Sequence, residues 1–95
     1  IAIHYCTQCR WMLRAAWMAQ EILSTYAEDV SEVALIPGKS GIFQIYVDQQ
    51  LIWDRKTDGG FPEAKVLKQK IRDILAPERD LGHCDIKLSD SAESD

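Results

Sequence analysis

Cys6 and Cys9 stand three residues apart in Tyr5-Cys6-Thr7-Gln8-Cys9-Arg10. Two thiols at that spacing can do three different things. They can pass between dithiol and disulfide, because sulfurs about one helical turn apart reach bonding distance with little backbone motion. They can supply two ligands to zinc or copper. Or they can be ordinary core residues, since cysteine is among the most buried residue types. Thiol chemistry needs a thiolate, the thiol itself being a weak nucleophile. The surroundings of the pair therefore decide, and the flanking elements must create them.

Ile1 to Tyr5 is predicted to be a strand, with apolar residues at 1, 3 and 5. From Cys9 to about Ala27 the pattern is helical. Met12, Ala16, Ala19, Leu23 and Tyr26 recur at helical spacing and are expected to form one buried face. Cys6 then falls just before the helix start, where free N–H groups and the helix dipole favour a thiolate. These electrostatics favour Cys6 as the attacking sulfur and Cys9 as the resolving one, with Thr7 and Gln8 as spacer. Arg10 adds a nearby positive charge. His4 lies two residues before Cys6 on one strand face and could tune the thiolate or shuttle a proton. The plainer reading, a half-exposed strand histidine, is favoured over that role.

The rest of the chain supplies the frame. Val30 to Ile36 is predicted to be a second strand, rich in branched residues and ended by Pro37-Gly38. Gly41 opens Ile42-Phe43-Gln44-Ile45-Tyr46-Val47, a third strand. Asp48-Gln49-Gln50 is the turn of a hairpin whose returning strand is Leu51 to Lys56. Thr57-Asp58-Gly59-Gly60 separates it from a last helix, with Pro62 at its first position. Ala64, Leu67, Ile71, Ile74 and Leu75 give that helix an apolar face, Lys65, Lys68 and Arg72 are expected on its solvated side, and Pro77 ends it. The expected order is β-α-β-β-β-α. The first strand–helix–strand unit must be a right-handed parallel crossover, and the hairpin extends the same sheet. This predicts an α/β, thioredoxin-like layer fold: a four-stranded mixed sheet with two helices on one face. Residues 1–79 form the domain, and 80–95, ending Ser-Asp-Ser-Ala-Glu-Ser-Asp, are an expected polar, disordered tail.

Composition narrows the function. Ninety-five residues, 46% of them hydrophobic, make one domain with a modest core. A net charge of −4 argues against nucleic acid or an anionic membrane as the main partner. No apolar run is long enough to span a bilayer and no signal-peptide pattern is present, so a cytoplasmic location is expected. The chain begins at Ile1 rather than Met, so further residues are expected upstream. Three cysteines are too few for a disulfide framework and fit a reducing compartment. A closed zinc site wants four ligands. Beyond the pair only His4, His83 and Cys84 remain, the last two in the expected tail, so no metal is assigned. Cys84 reads as a bystander.

One feature of the first helix points outward. At 100° per residue its polar side runs through Arg14, Glu21, Thr25 and Glu28, and Trp17 falls there with Leu13 beside it. A Trp and a Leu displayed together near the cysteines suggest an apolar patch for a protein partner or a homodimer. Cover by a nearby loop or the tail would explain them as well.

With motif and topology in place, the chain resembles the selenoprotein W-like family, also called the SelT/SelW/SelH or Rdx family. The resemblance runs from Ile1 to about Pro77. It rests on YCTQC after the first strand, the glycine-started GIFQIYV, LIWDRKTDGGFPE and the helix that follows, with RDLGHCD similar to the ending of bacterial members. It implies a thioredoxin-like fold and thiol redox or antioxidant chemistry linked to glutathione, with protein thiols or glutathione as partners and no tightly bound cofactor. It also implies that the reactive chalcogen sits at Cys9, where other members carry selenocysteine. That choice is opposite to the one helix electrostatics favour. Thioredoxins place a cis-proline before the third strand; here Ser40-Gly41 stands there, so general disulfide reductase activity is not carried over.

Overall fold

A computed structural model describes residues 1–78. The expected domain boundary at 79, the tail 80–95, His83 and Cys84 lie outside the described residues. The order is β1 (Ala2–Cys6), α1 (Met12–Thr25), β2 (Ala34–Gly38), β3 (Phe43–Val47), β4 (Gln50–Asp54), α2 (Arg55–Asp58) and α3 (Ala64–Leu75). The strands form one mixed sheet ordered β2-β1-β3-β4. β1 pairs parallel with β2 and antiparallel with β3, and β3 pairs antiparallel with β4. This is the thioredoxin-like arrangement, with the short α2 added between sheet and last helix.

The core lies on one face of the sheet. Ile3 and Tyr5 of β1 and Phe43, Ile45 and Val47 of β3 alternate inward as strand geometry requires. They meet Ala15, Met18, Ala19, Ile22 and Tyr26 from the first helical segment and Leu67 and Ile71 from α3. Burial of each large apolar side chain is worth about 1.5–3 kcal/mol. The Tyr26 hydroxyl donates to the Lys68 carbonyl and fastens the two helices. The opposite face is more open and carries polar contacts. His4 meets Tyr46 edge-on at 5.3 Å. The Tyr46 hydroxyl donates to Gln44 Oε1 at 3.1 Å, and Gln44 Nε2 donates to Asp54 Oδ2 at 3.2 Å.

Several boundaries differ from the sequence expectation. α1 starts at Met12, not Cys9, and its buried face is rotated: Ala15, Met18, Ala19 and Ile22 are inside, while Met12 and Leu23 are 51% and 42% exposed. Both sets have helical periodicity, and packing against the sheet selects one of them. β2 starts four residues later than expected and includes Pro37 and Gly38; Pro37 fits because β2 is an edge strand. The hairpin turn is only Asp48-Gln49, both with positive φ (49° and 73°), a type I′ geometry that matches strand twist. Pro62 precedes α3 rather than opening it, since Glu63 is the N-cap.

The returning strand also stops early. Asp54 accepts from the Lys56 N–H at 3.0 Å, and the chain coils into α2 instead of continuing as β4. Gly59, at φ 82°, closes that turn with its N–H on the Arg55 carbonyl. Lys68 and Arg72 are not on a solvated face. Their side chains are 12% and 17% exposed, and Lys68 pairs with Glu21 of α1 at 2.8 Å.

Candidate functional site

Because α1 begins late, the cysteine pair occupies a turn of its own. Cys6 is the last residue of β1, Thr7 to Arg10 form the turn, and Trp11 caps α1. The turn is closed by the Arg10 N–H on the Thr7 carbonyl at 3.0 Å and the Trp11 N–H on the Cys6 carbonyl at 3.4 Å. Arg10 takes φ 61° to make it. Thr7 anchors the turn to β2, its N–H and its hydroxyl both donating to the Gly38 carbonyl, at 3.2 and 3.3 Å. Cys6 therefore does not stand at the helix N-terminus, and the electrostatics expected from that position do not apply.

Individual amides act instead. The Cys6 thiol is drawn below its ordinary pKa first by a hydrogen bond from the Cys9 thiol, with burial opposing and the N–H groups of Gly41, Cys9 and Gln8 assisting. Cys9 is pushed up, first by the same bond to Cys6, then by desolvation and by the negative charge on Cys6. The Gly41 N–H and the Arg55 charge oppose that rise. Both cysteines are free thiols, but their exposure differs sharply: Cys6 is 1% exposed and Cys9 is open to solvent.

Gly41 has a particular place here. It lies in the β2–β3 connection two residues before β3, with φ 74°, following Ser40 at φ 63°. A proline at this position would have no N–H to give, whereas the Gly41 N–H lowers the pKa of both sulfurs.

His4 and Arg10 are not among the leading influences on either sulfur. His4 turns to Tyr46, and Arg10 is an exposed turn residue. Sequence reasoning missed Gly41 and Arg55. The signal for the second was present: Asp54 and Gly59-Gly60 bracket Arg55 with a helix cap and a helix stop.

Beside the pair lies an aromatic cluster. Trp11, Phe43 and Phe61 meet edge to face, with centroids 4.9–6.3 Å apart. Arg14 lies over Phe61 at 4.1 Å and Arg55 over Trp11 at 4.9 Å. On the outer side of α1, Leu13 is 77% exposed and Trp17 47%.

The sequence matches the model of the Rdx family over residues 1–73. The chain belongs to the Rdx family. Among solved structures it is similar to a Bordetella parapertussis protein, with 65% identity over 76% of this chain and 91% of that one, and a TM-score of 0.75. It is also similar to the selenoprotein W-related protein of Vibrio cholerae, with 54% identity over 78% and 92% of the two chains and a TM-score of 0.77. No curated protein matches. Membership of the Rdx family gives the dithiol turn a redox-related setting. No helix among the described residues is long and apolar enough to cross a membrane.

Proposed function

We propose that the chain is a thiol–disulfide oxidoreductase in which the exposed Cys9 sulfur meets the substrate and the buried Cys6 sulfur resolves the product. The observation that carries this reading is the asymmetry of the pair. The more acidic sulfur, Cys6, is 1% exposed, so a bulky disulfide reaches Cys9 first. This revises the preference for Cys6 as attacking thiolate, which rested on a helix start that lies further along the chain.

The two sulfurs share one proton in the monoanion, so ionisation belongs to the pair rather than to either residue. With the proton on Cys6, the Cys9 thiolate attacks one sulfur of a disulfide R–S–S–R′. A Cys9–S–S–R bond forms, the S–S bond of the substrate breaks, and R′–S⁻ leaves with the proton given up by Cys6. The Cys6 thiolate, favoured by the surrounding amides, then attacks the Cys9 sulfur. The Cys6–Cys9 disulfide forms and R–S⁻ departs. The pair is oxidised by two electrons and the substrate reduced by two. Two glutathione-type thiols, oxidised to their disulfide, would restore the dithiol. This cycle suits a reducing cytoplasmic compartment and needs no tightly bound cofactor.

The test is equilibration in a glutathione redox series, with site-resolved mass spectrometry and pH titration of each thiol. The expected result is a Cys6–Cys9 disulfide at a defined poise. The reading fails if no such disulfide forms at any poise and neither thiol titrates below about 8.5, the free-cysteine value.

A second reading is favoured by the exposed Met12, Leu13 and Trp17, at 51%, 77% and 47%. In it, oxidation of the pair controls docking of a protein partner, or of a second copy, and no turnover occurs. Multiple turnovers with glutathione separate the enzyme from the switch.

A further inference from the structure

Three parts of the chain that are distant in sequence meet at one side chain beside the thiols. Arg55 is the first residue of α2, directly after β4. Its Nε donates to the Gly41 carbonyl at 3.3 Å, and its guanidinium carbon lies 4.9 Å from the centre of the Trp11 ring. Trp11 ends the cysteine turn, and Gly41 is the residue whose N–H serves both sulfurs.

We propose that Arg55 is the positioning residue of the thiol pair: its guanidinium ties the Gly41 loop to the Cys6–Cys9 turn and supplies the positive charge that supports a negative Cys9 sulfur. The inference rests on the dithiol reading and names the residue outside the motif on which it depends.

The neighbouring segments hold Arg55 in this place. The Asp54 cap and the Gly59 stop hold α2 to a single turn. Trp53 Nε1 donates to the Gly60 carbonyl at 2.8 Å and locks the exit of that turn to β4. The result is a short rigid bracket that turns Arg55 back over the motif. Other charged residues near the pair are differently engaged or differently placed. Arg10 lies in the exposed turn, Arg14 is over Phe61, and Lys39 and Lys56 are exposed. Asp54 accepts from the Lys56 N–H, and Asp58 accepts from the Asp54 N–H at 2.8 Å. Among the described cations, Arg55 is the one whose charge is felt at Cys9, as the smallest of five influences and one that opposes the rise. An arginine suits the place because its planar guanidinium can donate in its plane to a carbonyl while stacking on a ring, a planar geometry that an ammonium lacks.

The test compares wild type with Arg55→Gln, Arg55→Lys and a charge-matched control, Lys65→Met, on the exposed side of α3. Each reduced protein is alkylated across a pH range, and the rate at Cys9 is resolved from Cys6 and Cys84 by peptide mapping. Arg55→Gln is expected to slow Cys9 alkylation at neutral pH by about three- to tenfold, with the alkaline plateau unchanged, as loss of a nearby opposite charge requires. Arg55→Lys should fall between it and wild type, and the control should stay within about twofold of wild type.

A purely structural role would not displace the pH profile while leaving its plateau alone. The proposal is overturned if the Arg55→Gln profile superimposes on that of wild type, or if Lys65→Met moves it equally. Should Arg55→Gln fail to fold by circular dichroism, Arg55→Lys decides: it keeps a charge without the fork, and an unchanged profile overturns the tie to Gly41. Failure of the dithiol reading itself shows separately, as the absence of a Cys6–Cys9 disulfide in oxidised wild type.

Discussion

Replacing Gly41 by alanine should damage both stability and thiol chemistry, and Gly59 provides the internal reference. Both glycines have left-handed backbone, with φ of 74° at Gly41 and 82° at Gly59. An alanine pays about 1–2 kcal/mol in that region at either site. The sites differ in what a new Cβ would meet. At Gly59 nothing lies within 4 Å, so Gly59→Ala reports backbone strain alone. At Gly41 the Cβ would lie 3.3 Å from Arg55 Nη2 and 4.0 Å from Lys56 Cε. The guanidinium must then shift by a few tenths of an ångström, and its bond to the Gly41 carbonyl is already long at 3.3 Å. Gly41→Ala therefore carries the same strain plus a disturbed Arg55. In a domain of this size each kcal/mol lowers Tm by about 4–8 °C. Thermal melts of the two variants, read beside Cys9 alkylation profiles, separate the terms. Both should melt lower than wild type, and only Gly41→Ala should slow Cys9 alkylation at neutral pH. The reasoning is refuted if Gly41→Ala keeps wild-type stability and reactivity, or if Gly59→Ala disturbs the thiols equally.

Two further outcomes follow from the fold. Tyr26→Phe keeps the buried ring and deletes the hydroxyl that donates to the Lys68 carbonyl, so it should cost about 1 kcal/mol in urea unfolding, with the m-value unchanged. Asp54 is held below the usual carboxylate range chiefly by the Lys56 N–H, against a desolvation penalty and with help from Gln44. A depressed folded value gives stability that is present above the unfolded value of about 3.9 and lost as pH falls through the folded one. The urea midpoint of wild type should therefore drop on the acid side of that value more steeply than that of Asp54→Asn.

Much of the fold was legible because periodicity and punctuation agreed. The alternation Phe43, Ile45, Val47 marked the inward face of β3, and Leu67, Ile71, Ile74 and Leu75 marked that of α3. The turn at Asp48-Gln49 was visible between two apolar runs. What was not legible depended on packing. Met12, Ala16 and Leu23 have the spacing of a buried stripe, but the sheet takes Ala15, Met18 and Ile22 instead. Lys68 looked solvated until α1 brought Glu21 against it. At the site, the two cysteines and their position between strand and helix could be read directly. Their environment could not, because the Gly41 amide and the Arg55 charge reach them from segments more than 30 residues away. Sequence alone also could not show which sulfur is covered, the observation on which the proposed order of attack rests.

The assignment of roles to the two sulfurs is tested most directly by trapping. Cys6→Ser and Cys9→Ser variants are exposed to oxidised glutathione and followed by intact mass and peptide mapping, which sets adducts on Cys84 aside. Cys6→Ser should accumulate a stable mixed disulfide on Cys9, Cys9→Ser should remain largely unmodified at Cys6, and wild type should pass on to the Cys6–Cys9 disulfide. Rapid trapping on Cys6 in Cys9→Ser, with Cys9 inert in Cys6→Ser, would contradict the proposed order of attack.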